Sequence, residues 1–484
     1  MSASQPRIIV LGAGMAGILA GIRLQEEGYT DITLYEKADR VGGTWRDNTY
    51  PGLTCDVPSH FYTYSFERNP DWSRHLPPGR EIQAYFERTA GKYGVDKLTR
   101  FGEEATRADY REGRWEVEFS SGHRDSADIL IAATGVLHHP RYPDIAGAES
   151  FRGALFHSAR WDHDVDLTGK TVAVVGTGAS AIQFVPEVAK VAGKVKLFQR
   201  SAAHVIAKPD RAYSKLEHQV LSKAPITQTL DRLRIYATNE SRALGFTTFQ
   251  KAMKVYEWLF SRHLKQQIKD PALREKLTPD YPMGCKRILM SNDYYPALAQ
   301  DHVEVINHGI SSVDQRGLTD STGTHHDADV IIYGTGFKAT DFLTPMTITG
   351  RDGADLNAVW KDGAEAYLGI TVRGFPNLFM LYGPNTNLGH NSIIYMLESQ
   401  IHYILQCVAE MDEQGIKALE VRDRVQEDFN KTVQDKISNT VWDKGCHSWY
   451  KTESGKNTNN WPGFTFDYRR QTRTLDLNDY ELLR

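Results

Sequence analysis

Two glycine fingerprints, set about 164 positions apart, constrain this chain more than any other feature. The first, Gly12-x-Gly14-x-x-Gly17, follows the apolar run Arg7-Ile-Ile-Val-Leu11 and opens an amphipathic stretch that reaches about Glu27 and stops at Gly28. A short β-branched run, a glycine turn and a helix make one βα step of a parallel sheet. Ile32-Thr-Leu-Tyr35 supplies the next strand. The second fingerprint, Gly176-x-Gly178-x-x-Ala181, follows Thr171-Val-Ala-Val-Val175 and leads to the strand Val195-Lys-Leu-Phe198. Asp128-Ile-Leu-Ile-Ala-Ala-Thr-Gly135 and Asp329-Val-Ile-Ile-Tyr-Gly-Thr-Gly336 are a second matched pair, each a buried strand ending in a Thr-Gly turn. The fold class is therefore α/β, with two Rossmann-like dinucleotide-binding domains. Between about Pro209 and Pro282 the apolar residues Leu216, Val220, Leu230, Leu233, Val255, Leu259 and Leu264 recur at helical spacing among many charges. This predicts a helical insertion, either a wall over a substrate cleft or a packing appendage. The expected organisation is a discontinuous first domain (1–141 and 340–484), a second domain (142–208 and 285–339), and the insertion at 209–284. The stretch after about Asp423 is charged and aromatic, with little clear periodicity.

The two fingerprints differ in charge where a ribose would lie. Gly12 permits the tight turn, Gly14 lets backbone N–H groups approach a pyrophosphate, and Gly17 allows close helix–strand contact. Glu36 ends the second strand, 19 residues past Gly17. A carboxylate there accepts hydrogen bonds from ribose hydroxyls and repels a 2′-phosphate, so this site suits FAD or NAD. Met15 and Lys37, next to these groups, are further expected contacts. The second unit ends its strand in Gln199-Arg200-Ser201 instead of an acid. A guanidinium in that place pairs with the 2′-phosphate of NADP, with Lys286 as a second cation. Gly176, Thr177, Gly178, Ala179, Ser180, Ala181, Arg200 and Ser201 are the expected contacts there. Two such sites on one chain imply hydride flow from NADPH to FAD.

Bulk properties narrow the remaining choices. The chain has 484 residues and 40% apolar content, enough for two or three domains. A formal net charge of −4 without long runs of like charge gives no support for a nucleic-acid or membrane-surface partner. No stretch approaches a membrane span. The N-terminal Met-Ser-Ala-Ser-Gln-Pro-Arg leads straight into a strand, which predicts no signal peptide and a cytoplasmic location. Cys55, Cys285, Cys407 and Cys446 lie far apart without a C-x-x-C pair. That argues against a disulfide framework, a zinc site or a dithiol redox centre. With no redox cysteine pair to receive electrons, oxygen is the expected acceptor. No metal is expected, and the oligomeric state is not predicted.

Phe151-Arg-Gly153-Ala-Leu-Phe-His157-Ser-Ala-Arg-Trp161-Asp162 matches F-x-G-x-x-x-H-x-x-x-W-[PD] and lies between the two glycine motifs. Gly43-Thr44-Trp45, Tyr50-Pro51-Gly52 and Asp56 form a second signature. Together these resemble the type I Baeyer–Villiger flavin monooxygenases, and the resemblance spans nearly the whole chain. It implies FAD and NADP as cofactors, and O2 with a small ketone as substrates. It implies insertion of one oxygen beside the carbonyl through a C4a-peroxyflavin, giving an ester or lactone, with sulfoxidation as a companion activity. Gly43, Thr44, Trp45 and Arg46 resemble the segment lying against the flavin. Asp56 resembles the aspartate beside the flavin, and Tyr62 a further FAD contact. In Cys285-Lys286-Arg287, Lys286 would touch the NADP phosphate end and Arg287 would be the catalytic arginine. His157 resembles a linker residue that couples domain movement to cofactor positioning. Trp449 resembles a C-terminal tryptophan reaching the NADP site, and Asn385-Thr-Asn-Leu-Gly-His-Asn391 looks like a flavin-edge loop.

The implied chemistry explains these residue types. A cation that never deprotonates, Arg287, stabilises a peroxide anion and then an oxyanion, and Asp56 orients it. The alternative reading is an N- or S-oxygenating flavin monooxygenase. A third is a flavoprotein that reduces partners without oxygenating them, against which the Phe151–Asp162 fingerprint speaks.

Overall fold

The computed structural model describes residues 5–446 and 448–483; of the N-terminal stretch read for a leader, residues 1–4 lie outside the described residues. Two five-stranded parallel sheets organise the chain. In the first, the strand order is Leu378–Met380, Ile129–Ala132, Ile8–Leu11, Ile32–Glu36 and Thr99–Phe101. In the second it is Val303–Ile306, Lys194–Phe198, Thr171–Val175, Val330–Tyr333 and Ala154–His157.

Both sheets are assembled by the same local device. The carboxylate of Asp128 accepts the backbone N–H of Arg7 at 2.8 Å, and that of Asp329 accepts the N–H of Thr171 at 2.8 Å. Each aspartate thereby sets the register of the Thr-Gly strand against the fingerprint strand. At the other end of the strands the glycines decide the geometry. Gly12 has φ +99°, and a Cβ there would stand 2.8 Å from the carbonyl oxygen of Ala133. Gly176 has φ +111°, and its Cβ would stand 2.4 Å from the carbonyl of Gly334. Only glycine fits so close to a neighbouring strand in that conformation. Gly17 acts differently: a Cβ on it would lie 1.9 Å from the Gly12 carbonyl, so its role is to let the Met15–Glu26 helix touch the turn. That helix is buried along Ala16 to Ala20 and packs with the long helix Ile393–Gln414.

Each sheet also carries an antiparallel sheet that the sequence reading did not describe. In the first unit Ala105–Arg111, Arg114–Phe119 and Arg124–Ala127 form a meander, and Thr347–Thr349 joins its edge. Its first turn, Glu112-Gly113, has φ of 50° and 83°, the two positive values of a tight hairpin turn. In the second unit Ile310–Val313, Gly317–Asp320 and His325–Asp327 repeat the arrangement.

The stretch 209–284 contains the helices Lys215–Lys223, Pro225–Phe246, Met253–Gln267 and Pro271–Lys276. Ser214 opens the first with a capping box, its Oγ accepting the N–H of Glu217 at 3.2 Å while the Glu217 carboxylate accepts the N–H of Ser214 at 2.8 Å. Met253, Phe260 and Leu264 anchor the third helix on the core beneath the second sheet. Among the described residues, no helix is long and apolar enough to cross a membrane.

Two expectations are corrected. The region after Asp423 begins with a 16-residue helix, Asp423–Ser438, despite its weak pattern. Its buried face runs Gln426, Asn430, Val433 and Ile437, so half of it is polar. Gln426 accepts the N–H of Arg373 at 2.8 Å and Asn430 donates to Ala366 at 3.3 Å, which gives each buried amide a partner inside. The second correction concerns the cysteines: Cys285 and Cys446 are joined in a disulfide across 161 positions. No local spacing marks such a pair. It forms because Val441, Trp442 and Tyr450 pack into the core of the second unit and bring Cys446 to Cys285.

Gly17→Ala is expected to lose about 3 kcal/mol or more of stability, because its methyl meets backbone and not a movable side chain. Urea unfolding of the purified variant measures this; stability within 1 kcal/mol of the parent would show that the helix can retreat.

Candidate active site

A cleft of about 1400 Å³ opens at the carboxyl ends of both sheets and runs between them. Pockets for one small ligand usually measure ~300–1,000 Å³, so this space exceeds a single small-molecule site. Open α/β sheets place their ligands at this end because the turns there expose N–H groups.

Gly12, Gly14, Met15, Glu36 and Lys37 line the cleft at the first sheet, together with Gly43, Thr44, Trp45 and Arg46. Gly43 has φ +55°, and a Cβ there would come within 3.0 Å of Gly14 Cα, so the two glycine turns face each other closely. The Glu36 carboxylate accepts the N–H groups of Ala13 at 2.8 Å and Ala38 at 3.0 Å, and stands 3.0 Å from the guanidinium of Arg46. Arg46 also pairs with Asp47 at 2.8 Å and donates to the Arg40 carbonyl at 2.7 Å. Burial works against its charge, but the Asp47 hydrogen bond and Glu36 outweigh it and raise its pKa. Arg46 therefore ties the Gly43 segment to the end of the second strand. Trp45 donates its indole N–H to the Tyr62 hydroxyl at 3.2 Å. Lys37 reaches toward Glu104 at 3.8 Å.

At the second sheet the lining comprises Gly176, Thr177, Gly178, Ala179, Ser180, Arg200 and Ser201. Lys286 donates to Ser201 Oγ at 3.0 Å and lies 4.2 Å from the centre of the Tyr281 ring. Burial lowers its pKa, Asp280 opposes the shift, and Arg200 adds to it. Two cations thus converge where the second strand ends. Gly17 and Ala181, the third positions of the fingerprints, do not line the cleft: both face the packing between helix and turn.

The two halves meet through polar contacts. Gln183 holds the turn after Pro51, donating to the Thr54 carbonyl at 3.0 Å and accepting from the Tyr50 hydroxyl at 3.1 Å. Beside it, Arg287 donates to Asp56 at 3.3 Å. The Arg287 side chain keeps 36% of its surface open, toward the cleft it lines. Burial opposes its charge, yet Asp56 prevails and raises its pKa. The other carboxylate oxygen, Asp56 Oδ1, is buried without a protein partner. His157 ends its strand fully buried, with Nδ1 accepting the N–H of Ala159 at 3.0 Å and Nε2 unpartnered.

A family model described as pyridine nucleotide-disulphide oxidoreductase matches residues 9–242. A Baeyer–Villiger monooxygenase from Pseudomonas aeruginosa is 46% identical over 98% of this chain and 91% of its own length. The chain belongs to the Baeyer–Villiger monooxygenases. Among solved structures, OTEMO in complex with FAD and NADP superposes with a TM-score of 0.90 at 27% identity, covering 99% of this chain and all of that one. Cyclohexanone monooxygenase from Rhodococcus bound to NADP+ matches with a TM-score of 0.89 at 26% identity over the full length of both.

Several residues of this monooxygenase site were not singled out from sequence. Tyr450 is buried and Tyr382 partly buried close to Arg287, and Tyr382 donates to Asn387 at 2.8 Å. Asn239, Arg242 and Phe246 of the insertion line the same cleft, as do Val255, Tyr256 and Leu259, so these helices form one wall of it. The Asn385–Asn391 loop is buttressed from outside: Asn385 donates to the carbonyls of Asn457 at 2.9 Å and Asn460 at 3.2 Å, and Asn391 donates to Glu240 at 2.7 Å. His390 of that loop lines the cleft with neither ring nitrogen hydrogen-bonded to protein. Burial, aided by Arg242, pushes its pKa down to about 4. Helical spacing picks out Val255 and Leu259, and the family resemblance picks out the Asn385–Asn391 loop, but no spacing rule brings Tyr382, Tyr450, Asn239 or Arg242 to this cleft.

Stability is expected to fall as pH drops below about 6.5. Burial holds His157 and His390 at about 4, and burial with Lys286 does the same for His204. Between those values and the ordinary histidine range the unfolded chain takes up protons that the native sites refuse. Each histidine contributes at most ~1.4 kcal/mol per pH unit, present in full above 6.5 and lost on acidification. Urea unfolding at pH 7.5 and 5.5 should show this slope, and His390→Leu should flatten it; an unchanged slope in the variant would remove His390 from the account.

Proposed function

We propose that the protein converts ketones to esters or lactones with NADPH and O2, and that it also oxidises sulfides. The observation that carries this is the Arg287–Asp56 pair, set in the cleft between two glycine turns of opposite charge preference. FAD fits the first turn. The facing glycines leave room for a pyrophosphate, Glu36 closes the ribose end, and Asp56 Oδ1 is a buried acceptor awaiting a donor. NADP fits the second, where Arg200 and Lys286 can share a 2′-phosphate. On this reading 1–141 with 340–484 holds FAD, 142–208 with 285–339 holds NADP, and 209–284 shapes the substrate space. The substrate is a small ketone.

When bound, FAD accepts hydride from NADPH and, once reduced, activates O2. The protein's own work is electrostatic and steric. Gly43 to Arg46, fixed by the Glu36–Arg46 pair, would hold the flavin against the first sheet. Arg287 presents a fixed positive charge toward the space where negative charge develops on the attacked carbonyl oxygen. Asp56 prevents that guanidinium from rotating away and keeps it ionised in a buried place. Tyr382 and Trp449 line the cleft and Tyr450 packs beside the guanidinium, and these apolar rings lower the local dielectric and so strengthen the field of one cation.

Arg287→Ala is expected to keep FAD and to accept hydride from NADPH, but to lose ester formation by about 10²–10³. The NADPH consumed should then appear as hydrogen peroxide. Arg287→Lys should recover little, since one ammonium cannot engage Asp56 and the reacting oxygen together. Ester formed per NADPH, measured in both variants, tests the assignment; coupled turnover near the parent's level would move the catalytic cation elsewhere.

Cofactor choice is a separate test. A charge-assisted contact is worth ~1.5–3 kcal/mol, so Arg200→Ala should raise KM for NADPH by roughly 10- to 100-fold and leave NADH nearly unchanged. Equal loss with both cofactors would exclude a phosphate contact for Arg200.

A further inference from the structure

The disulfide lies where the cleft is most sensitive. Cys285 immediately precedes Lys286 and Arg287, and Cys446 lies three residues before Trp449 and four before Tyr450. Lys286, Arg287 and Trp449 all line the cleft, and Tyr450 is buried next to Arg287. One covalent bond therefore ties the segment that carries both cofactor-facing cations to the segment that closes over them. Apart from it, the middle of the closing segment lies at the surface: Asp443, Lys444 and Gly445 are exposed, and Trp449 is only half-buried. Among the described residues its anchors are the aromatic side chains at its two ends, Trp442 and Tyr450, a 3.2 Å hydrogen bond from Asn459 to the Tyr450 carbonyl, a surface ion pair of Asp443 with Lys451 at 2.6 Å and a hydrogen bond from Lys444 to Gln250. The two sulfurs are unequal: Cys285 is fully buried, whereas Cys446 is partly exposed.

We propose that the Cys285–Cys446 disulfide is a reducible positioning element that holds Trp449 and Tyr450 against Lys286 and Arg287, and so controls how long NADP+ stays bound. The proposal rests on the reading of this cleft as an NADP site but not on the identity of the oxygenated substrate. Neither cysteine is a catalytic residue; each acts through the neighbours it places. The less buried residue, Cys446, sets the direction of opening. A thiolate of an external dithiol attacks Cys446 Sγ, the S–S bond breaks, and Cys285 leaves as a thiolate that takes a proton from water. The second thiol of the reagent closes its own disulfide and releases the Cys446 thiol. Two electrons and two protons have then passed from the dithiol to the protein. Hydrogen peroxide can reverse the change: the Cys446 thiolate attacks it to give a sulfenic acid and hydroxide, and the Cys285 thiol then condenses with the sulfenic acid, releasing water and restoring the S–S bond. Peroxide is also what this class of enzyme releases when oxygen activation is not coupled to substrate. An opened enzyme would thus generate the oxidant that closes it.

The test uses the holoenzyme without ketone. Cys55 and Cys407 are free, so the denatured protein should show two titratable thiols when oxidised and four after dithiothreitol. The four-thiol form and Cys446→Ser should each release NADP+ at least tenfold faster in a rapid-mixing chase, and should yield severalfold more hydrogen peroxide per unit time. Flavin reduction at saturating NADPH should stay within twofold of the parent. Dithiothreitol should not alter Cys446→Ser further, and peroxide should restore slow release to the parent alone. Should Cys446→Ser fail to fold, reduction and reoxidation of the parent carry the test. Equal NADP+ release from the two- and four-thiol forms would overturn the proposal, as would four thiols that no oxidant reduces in number. Absence of NADP+ binding in both forms would instead overturn the cofactor reading on which it rests, whereas the failure of ketones as substrates would leave these measurements untouched.

Discussion

The close approach of a glycine turn to a neighbouring strand's carbonyl is the constraint on which the rest of this structure depends. At Gly12 the carbonyl belongs to Ala133, and at Gly176 to Gly334. In each case a side chain would push the turn off the sheet and close the mouth above the strands. With the turn seated, the helix begins at once and its first N–H groups face open space. The aspartates at 128 and 329 complete the arrangement by fixing the third strand in register with the first. The same solution, reached twice in one chain, produces two cradles of one shape. Their differing chemistry then falls to a few side chains, chiefly Glu36 in one and Arg200 with Lys286 in the other.

The proposed catalytic pair arises where the two cradles face each other. Asp56 comes from the loop after the first cradle and Arg287 from the far side of the insertion, and neither unit alone contains the pair. Removing a guanidinium from water is costly unless a partner compensates it, so the pair binds the halves together whatever chemistry it serves. Gln183 does the same in neutral form, spanning from the second helix to Thr54 and Tyr50. The partial opening of Arg287 toward the cleft lets one charge hold its carboxylate and still face the space between the cradles.

The insertion and the C-terminal region give this shared frame its individual cleft. Helices from 209–284 supply one wall, and the Asn385–Asn391 loop, propped by Asn457 and Asn460, supplies another. His390 stands on that loop as a neutral imidazole with free hydrogen-bonding capacity. Such a group favours substrates that bring a polar atom of their own.

How much of this was legible beforehand follows the range of the interactions. Strand, turn and helix of both cradles are written in short periodic segments, and the contrast of Glu36 with Arg200 sits at a fixed offset from them, so the α/β class and the pair of dinucleotide cofactors could be read directly. The Phe151–Asp162 and Gly43–Asp56 segments carried the family resemblance for the same reason: each is contiguous. The helix Asp423–Ser438 escaped notice because its buried face opens with Gln426 and Asn430, amides that count as polar until Arg373 and Ala366 supply their partners. Tyr382 and Tyr450 read as ordinary aromatics until folding sets them around Arg287. The disulfide was read the wrong way, since spacing reports only on neighbours along the chain and Cys285 meets Cys446 across 161 positions. Sequence alone thus determined the local units and their charge preference, because those depend on residues within one turn or strand of each other. Tertiary structure decided which distant side chains share the cleft, because that depends on how two separately formed units and the insertion bury their apolar faces together.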